Sequence, residues 1–169
     1  MRSRSDDPAV VPRSAQTTRA AGGMGIPQRL LIACGPFGPR LSAAATASAI
    51  TRGILDGGRP EPDVCVLELV GEAGEDVRAA LDELDFDARM RRARAVIVGT
   101  ARLQERTLAG SVTFEIATRA RQGGIPAYAV TGENALDAFD TRILDLQLVL
   151  QARSRGGLVT AGRKLAGLS

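Results

Sequence analysis

A short polar segment that directly follows a strongly apolar run carries the side chains best suited to binding an anion. Residues Ala95 to Val98 are apolar and largely β-branched, and Gly99-Thr100-Ala101-Arg102 comes immediately after them. A hydroxyl two residues from a guanidinium suits a carboxylate or phosphate ligand, because both groups donate hydrogen bonds to oxygen. An ordinary surface ion pair between Arg102 and Glu105, or another acid, explains the arginine equally well. The sequence leaves both interpretations open.

A second polar segment follows the next apolar run in the same way. Thr131-Gly132-Glu133-Asn134 comes after Ala127 to Val130. Carboxyl ends of parallel strands share one edge of a sheet, where ligands bind. We therefore name a set of ligand-binding candidates at this edge, and Glu72 joins it from the segment Gly71–Asp76: Gly99, Thr100, Arg102, Glu72, Thr131, Glu133 and Asn134. For the segment after Val130, turn chemistry and helix capping are the alternative explanation.

Several common kinds of reactive site are excluded by residue types. The chain has no histidine, so Ser–His and Cys–His nucleophilic arrangements cannot form, and the commonest zinc ligand is missing. The turn Gly35–Arg40 contains Pro36 and Pro39, which have no N–H to offer a phosphate. The only lysine, Lys164, follows no glycine-rich phosphate loop. We predict no catalytic residue and no metal ligand, and we expect no tight nucleotide site of the usual kind.

Composition indicates a globular protein that does not bind nucleic acid. The chain has 169 residues, of which 44% are hydrophobic and only 3% aromatic, with a net charge of +3. Few aromatic residues leave few stacking platforms for single-stranded nucleic acid. No apolar run is long enough to span a membrane and no signal core precedes the first strand, which predicts a cytoplasmic protein. Cys34 and Cys65 are predicted to be small buried side chains, and a disulfide between them is the alternative if their strands are neighbours.

The elements alternate along the chain as they do in α/β proteins. Met1–Gln28 has no apolar period and is predicted to be a disordered extension ahead of an α/β domain at 29–169. The apolar runs predict strands, and the stretches between them have helical periodicity. The predicted strands are Arg29–Cys34, Asp63–Val70, Ala95–Val98, Ala127–Val130 and Ile143–Leu150. The predicted helical stretches are Leu41–Leu55, one with Val77, Ala80, Leu81, Leu84 and Ala88 on one side, one from Thr107 to Gln122, and one or two turns at Val159–Leu165. This order predicts a three-layer α/β/α, Rossmann-like fold with a mostly parallel sheet of about five strands.

The second helical stretch is unusually acidic. Seven acidic residues lie between Glu72 and Asp87, and four arginines follow them up to Arg94. Such a density can indicate a metal site. The spacing of Asp85 with Arg89, and of Asp87 with Arg91, favours a solvated face with ion pairs four residues apart.

Two segments together resemble the bacterial glycerate kinases. The family pattern A-P-D-S-F-K-G-S-L-S-A is similar to residues 33–43, which read ACGPFGPRLSA. The pattern A-D-L-V-I-T-G-E-G-R-L-D-x-Q-T-L-x-G-K is similar to residues 93–111, which read ARAVIVGTARLQERTLAGS. The resemblance covers most of residues 29–168 and implies an ATP- and magnesium-dependent kinase of glycerate.

The departures from the family pattern fall at charged positions. The family's Asp and Lys of the first pattern are Gly35 and Gly38 here, and its Glu, Asp and final Lys of the second are Thr100, Gln104 and Ser111. Family members also carry an inserted second domain over the substrate, which the resemblance implies is missing between about Gly74 and Leu84. Positions that shape or pack the fold are kept.

These departures favour one functional hypothesis and leave another open. The first is a degenerate glycerate-kinase-like domain, weakly active or inactive in phosphoryl transfer, that binds a small anion, a nucleotide or a protein partner. The alternative is a working glycerate kinase completed by another chain, with Arg102, Glu72 and Glu133 as its functional groups and ATP and magnesium as its cofactors. Loss of a covering domain exposes apolar surface, so we also expect self-association or a protein partner.

Overall fold

A five-stranded, all-parallel sheet forms the centre of the protein. The computed structural model describes residues 29–68, 74–104 and 110–168, and the strand order is β2-β1-β3-β4-β5. The strands are β1 (Leu30–Cys34), β2 (Asp63–Val66), β3 (Ala95–Leu103), β4 (Ala127–Asn134) and β5 (Leu146–Gln151). The helices are α1 (Ala43–Asp56), α2 (Gly74–Glu83), α3 (Phe86–Arg91), α4 (Val112–Gln122), α5 (Ala138–Ile143) and α6 (Arg155–Gly167). The predicted extension at residues 1–28 lies outside the described residues.

The two faces of the sheet build two separate apolar cores. Along β1, Leu31 and Ala33 join the core that α2, α3 and α4 cover, whereas Leu30, Ile32 and Cys34 join the core beneath α1 and α6. Successive side chains of a strand point to opposite faces, so a strand buried on both sides must be apolar throughout. This arrangement confirms the predicted three-layer α/β/α, Rossmann-like fold.

The same alternation decides the state of the two cysteines. Strands β1 and β2 are neighbours, but Ala33 is the register partner of Cys65, and Cys34 is one residue further along. Cys65 therefore belongs to the core under α2–α4, while Cys34 belongs to the core under α1 and α6. Both are free thiols, which confirms the prediction of small buried side chains. Burial raises the pKa of Cys34 to about 12 and that of Cys65 to about 11.

Strands β3 and β4 are longer than the apolar runs that predicted them. Strand β3 continues five residues beyond Val98 and β4 continues four residues beyond Val130, where loops were predicted. The two extensions pair with each other in register, from Thr100 opposite Thr131 to Leu103 opposite Asn134. Mutual hydrogen bonding, rather than apolar content, makes these polar segments into strands. Strand β2 is shorter than predicted and ends at Val66.

The helix boundaries follow the predicted pattern with four differences. Helix α1 begins after Ser42, whose Oγ accepts a hydrogen bond from the N–H of Ala45 at 3.2 Å, and Gly57 ends it. The acidic helical stretch is two helices, because Asp85 adopts a left-handed conformation with φ of 50° between them. Helix α4 begins at Val112, after its cap Ser111. The predicted start at Thr107 lies outside the described residues. The other two differences lie near the C-terminus: Ile143 belongs to α5 rather than to a strand, and α6 is longer than the predicted turns.

The acidic helices are tied to their neighbours by arginines. Arg89 donates from Nε to Asp63 Oδ2 at 2.8 Å, so α3 is joined to β2. Arg119 of α4 lies 2.8 Å from Asp82 and 3.2 Å from Asp87, and its side chain is only 12% exposed. Arg89 and Asp87 therefore pair with residues of other elements, and the predicted pairs Asp85–Arg89 and Asp87–Arg91 are wrong. Helices α2, α3 and α4 lie on one face of the sheet, so charged side chains form ion pairs between helices.

Helices α1 and α6 cross unusually closely on the other face. A Cβ added at Gly53 would lie 2.0 Å from the carbonyl oxygen of Val159, and one at Gly162 would lie 2.3 Å from the carbonyl oxygen of Ile50. Contacts of this length do not occur with real Cβ atoms, so only glycine at both positions permits the crossing. The glycines bring the two backbones together at the point where the helices cover β1.

Candidate functional site

The candidate site lies at the carboxyl edge of β3 and β4. The order β2-β1-β3-β4-β5 places the topological switch point between β1 and β3, where ligands bind in open α/β sheets. Strand β1 ends at Cys34 opposite Gly99, and β5 ends at Gln151 opposite Thr131. Beyond these points β3 continues through residues 100–103 and β4 through residues 132–134. We call residues 100–103 and 131–134 the polar ribbon, and it projects roughly 13 Å past β1 and roughly 10 Å past β5 at about 3.3 Å per residue.

Four of the predicted candidates meet on one face of the polar ribbon. Thr100 and Arg102 are two residues apart on β3, and their register partners are Thr131 and Glu133 on β4. Residues two apart on a strand share a face, so these four side chains form one polar patch. Arg102 Nη2 lies 3.2 Å from Glu133 Oε1, and both side chains are 52% exposed. The partner of Arg102 is thus across the ribbon, while Glu105 lies outside the described residues.

The remaining candidates have local structural roles or lie elsewhere. Gly99 packs against β1, because a Cβ there would lie 2.4 Å from Cys34 Sγ. Thr131 is fully buried and its hydroxyl donates to the backbone carbonyl of Glu133 at 2.8 Å. Asn134 Oδ1 accepts from the N–H of Leu136 at 3.1 Å, which is the predicted turn chemistry. Glu72 lies outside the described residues.

The first loop closes on itself instead of cradling a phosphate. The N–H of Gly35 donates to the carbonyl of Gly99 at 3.0 Å, and the N–H of Phe37 donates to the carbonyl of Leu41 at 2.8 Å. Pro36 and Pro39 have no N–H at all. Four of the loop's backbone positions are therefore committed or lack a donor, as the prolines predicted. These residues do not fit the phosphate groups of ATP.

The described residues also do not fit a magnesium site or a phosphate-binding lysine. No group of three or more Asp, Glu, Cys or His side chains converges within the described ranges. The single lysine, Lys164, lies in the last turn of α6. Helix α6 follows the carboxyl end of β5 and runs back across the sheet, so its last turn is at the opposite edge from the polar ribbon. Among the described residues, Arg102 is therefore the cation of the polar patch.

Sequence reasoning missed the residues that close the other face of the ribbon. Gly132 alternates with Thr131 and Glu133, and the ring of Phe37 would lie 3.6 Å from a Cβ at Gly132. Phe37 also packs on the core beneath α1 and α6. The sequence shows a glycine between two polar residues, but the pairing of β3 with β4 is needed to show that this glycine faces Phe37. The polar ribbon is thus covered at Gly132 on one side, and Arg102 and Glu133 are half-exposed on the other.

No helix within the described ranges combines the length and the hydropathy needed to cross a bilayer. The cytoplasmic location stays a prediction.

Comparison with known proteins identifies the family. The model of the glycerate kinase family matches residues 65–155, which is more than half of the chain. The match includes all of β3, β4 and the polar ribbon, and it contains the second of the two sequence patterns. A search of curated proteins found no match. The resemblance seen in the sequence is confirmed, and the chain belongs to the glycerate kinase family.

Proposed function

We propose that this chain is a degenerate glycerate-kinase-like domain that binds a small carboxylate or phosphate anion at Arg102 and transfers phosphoryl groups weakly or not at all. The observation that carries the proposal is the half-exposed Arg102–Glu133 pair on the open face of the polar ribbon. Glycerate and the phosphates of a nucleotide share the oxygen chemistry that a guanidinium recognises. The family of the chain supports glycerate as the first ligand to test.

The geometry of Arg102 favours exchange of Glu133 for a ligand. An exposed ion pair contributes about 0–1 kcal/mol, so little free energy holds the guanidinium to its present partner. A guanidinium has five N–H donors in a planar fork, and one contact to Glu133 at 3.2 Å leaves room for a bidentate anion. Thr100 lies on the same face and is half-buried, so its hydroxyl is placed to add a further hydrogen bond.

The weak or absent transfer activity is supported by what the patch lacks. Phosphoryl transfer depends on cations and metal ions that offset charge on the transferred group. Thr100 and Ser111 stand where the family pattern has Glu and Lys, and Lys164 is at the far edge of the sheet. Nor do the described carboxylates form a group that could hold magnesium.

Titration calorimetry with glycerate, inorganic phosphate and ADP tests the binding proposal. We expect wild-type protein to bind at least one of these anions and Arg102→Gln to bind it about tenfold or more weakly, since hydrogen bonds to charged groups contribute about 1.5–3 kcal/mol. Arg94→Gln is the matched control, because Arg94 is exposed and precedes the same strand at the opposite edge. An equal loss of anion affinity in Arg102→Gln and Arg94→Gln, or no anion binding by the wild-type protein, would refute the site.

A coupled assay with ATP, magnesium and glycerate tests the activity. Turnover no greater than a blank without protein is expected, and robust turnover would contradict the proposal in favour of a working kinase. The alternative, a glycerate kinase completed by another chain, is favoured by the family match over β3 and β4. This alternative requires that ATP with magnesium raises the unfolding temperature of the chain. It does not require that glycerate alone does so.

A further inference from the structure

Strand β5 is an open sheet edge that carries few of the usual protections. It is the last strand of the sheet and its only partner within the described residues is β4. Natural edge strands are usually blunted with lysine, proline, inward charges or bulges, since unpaired N–H and C=O groups invite another strand. Strand β5 has one irregularity at its start, where the register shifts near Ala127. From Leu148 to Gln151 it is regular, uncharged and free of proline.

The sequence of this edge is a palindrome. Residues 147–151 read Gln-Leu-Val-Leu-Gln. When a strand pairs antiparallel with a second copy of itself, the numbers of the two residues in every opposing pair add up to the same total. With Val149 opposite Val149 of the other copy, Leu148 faces Leu150 and Gln147 faces Gln151. Every position then meets its own residue type, and each apolar side chain meets an apolar one on the same face.

We propose that β5 pairs antiparallel with β5 of a second copy about a two-fold axis at Val149, joining two sheets into one of ten strands. An interface about a two-fold axis must be self-complementary, and the palindrome meets this condition. The proposal rests on the sheet edge alone and is independent of anion binding at Arg102.

The charges that flank the strand fit the same register. Asp145 and Arg153 are both exposed, and their numbers have the same sum as the central pairs. Asp145 lies just before β5 with a left-handed φ of 53° and Arg153 lies just after it, so this register brings Asp145 of each copy near the strand end of the other copy that carries Arg153. Slipping the register by two residues would break both charge pairs and set Val149 opposite Gln147 or Gln151. The charges thus favour this register, because opposite charges facing each other across strands are stabilising.

Helix α5 supplies apolar surface on one side of the same axis. It connects β4 to β5, and the flanking residues Leu136 and Leu144 pack into the core under α2–α4. Phe139 is 69% exposed and Ile143 is 42% exposed, one helical turn apart. A two-fold axis between antiparallel strands stands perpendicular to the sheet, so both copies of α5 lie on one face beside it. Pairing of β5 would bring these apolar side chains together and shield them from water.

Sedimentation analysis of charge-substituted chains tests the proposal. Gln147 and Gln151 are exposed, so changing both is compatible with folding, which circular dichroism verifies. One chain carries Gln147→Lys with Gln151→Lys, and a second carries Gln147→Glu with Gln151→Glu. The control carries Ala79→Lys with Gln122→Lys, which adds the same charge at exposed positions of α2 and α4.

Wild type and the control are expected to form a dimer of twice 17.7 kDa. Each edge variant alone should have a dimer dissociation constant at least about fivefold higher, because like charges face each other twice. An equal mixture of the two edge variants should restore the dimer. A monomeric wild type overturns the proposal and leaves the edge to a different partner strand. A dimer that persists in both edge variants, or a mixture that stays monomeric, overturns it as well.

Discussion

The crossing of α1 and α6 makes replacement of Gly162 by alanine a sensitive test of the structure. The added Cβ would lie 2.3 Å from the carbonyl oxygen of Ile50, 2.9 Å from the Cα of Gly53 and 3.1 Å from the N of Ile54. All three neighbours are backbone atoms, so no side-chain rotation can relieve the overlap. The helices must separate by roughly 1 Å to restore ordinary contact distances, which loosens the packing of a close-packed interior.

Two opposing effects set the size of the change. Alanine in a helix interior is more favourable than glycine by about 0.5–1 kcal/mol, because glycine loses more backbone entropy on folding. Overpacking a core costs about 1–3 kcal/mol and sometimes more, and backbone contacts place this site at the upper end. We expect a net loss of about 2 kcal/mol in the free energy of unfolding. For a chain of this size that corresponds to a melting temperature lower by about 4–8 °C.

The assay is thermal and urea unfolding followed by far-UV circular dichroism. Gly156→Ala is the matched control, because Gly156 lies in the first turn of the same helix and its nearest neighbour is Ser154 Oγ at 4.0 Å. It should unfold at the wild-type temperature or slightly above it. The reasoning about the crossing is wrong if Gly162→Ala behaves like Gly156→Ala.

A double variant tests whether the two glycines act at one contact. Gly53→Ala should destabilise by a similar amount, since its Cβ would meet the backbone of Val159 and Arg163. Once one methyl group has separated the helices, the second needs little further movement. The loss in the double variant should therefore be clearly smaller than the sum of the single losses. Simple additivity would show that the two sites do not share a contact.

Three further predictions concern ionisable groups. The hydrogen bond from Arg89 lowers the pKa of Asp63. The pair therefore contributes stability above the unfolded-state pKa of about 4, and this stability is lost as the pH falls through the lower folded-state pKa. Asp63→Asn should flatten the acid side of a curve of stability against pH, and an unchanged curve would contradict this. Replacing Arg119 by methionine should cost about 1–3 kcal/mol in urea unfolding, because Glu115, whose side chain is only 12% exposed, loses an arginine partner. A loss no larger than that of an exposed arginine such as Arg52 would refute the network. Burial and raised pKa values make both cysteine thiols slow to react, so a thiol reagent at pH 8 should label the folded protein far more slowly than the urea-unfolded protein.

Sequence patterns predicted the elements whose apolar residues alone determine them. The run before Gly99 and the alanine-rich helix capped by Ser42 lie where they were expected, because strand burial and helix capping are local or nearly local effects. The polar ribbon was not predictable. Thr100 and Arg102 have no apolar period, and they belong to a strand only because Thr131 and Glu133 lie opposite them in register.

The helix differences have a similar origin. The pair Gly156-Gly157 made the start of the last helix look like a loop, and Gly162 is what lets α6 lie against α1. Tertiary contact there outweighs a low intrinsic helix propensity. The break at Asp85 depends on one residue adopting a left-handed conformation, which aspartate tolerates but does not require.

The candidate site was predicted as a list of residues but not as an arrangement. The sequence left open whether Arg102 binds an anion or pairs with an acid such as Glu105, and it did not reveal that Glu133, across the strand pair, is its partner. For the segment after Val130 the sequence left ligand contact and turn chemistry both open, and the structure shows that the Thr131 hydroxyl and the Asn134 side chain bond to nearby backbone groups. Such local hydrogen bonds depend on the precise turn of the chain after each strand.

The packing of Phe37 over Gly132 makes the two surfaces of the carboxyl rim unequal. The ring of Phe37 covers Gly132 on the side nearest α1, whereas the side chains of Arg102 and Glu133 are half-exposed on the other side. A side chain in place of Gly132 would meet the carbonyl oxygen of Ala101 at 2.8 Å, closer than the ring of Phe37 at 3.6 Å. The close fit of the two strands at the rim therefore depends on glycine at this position.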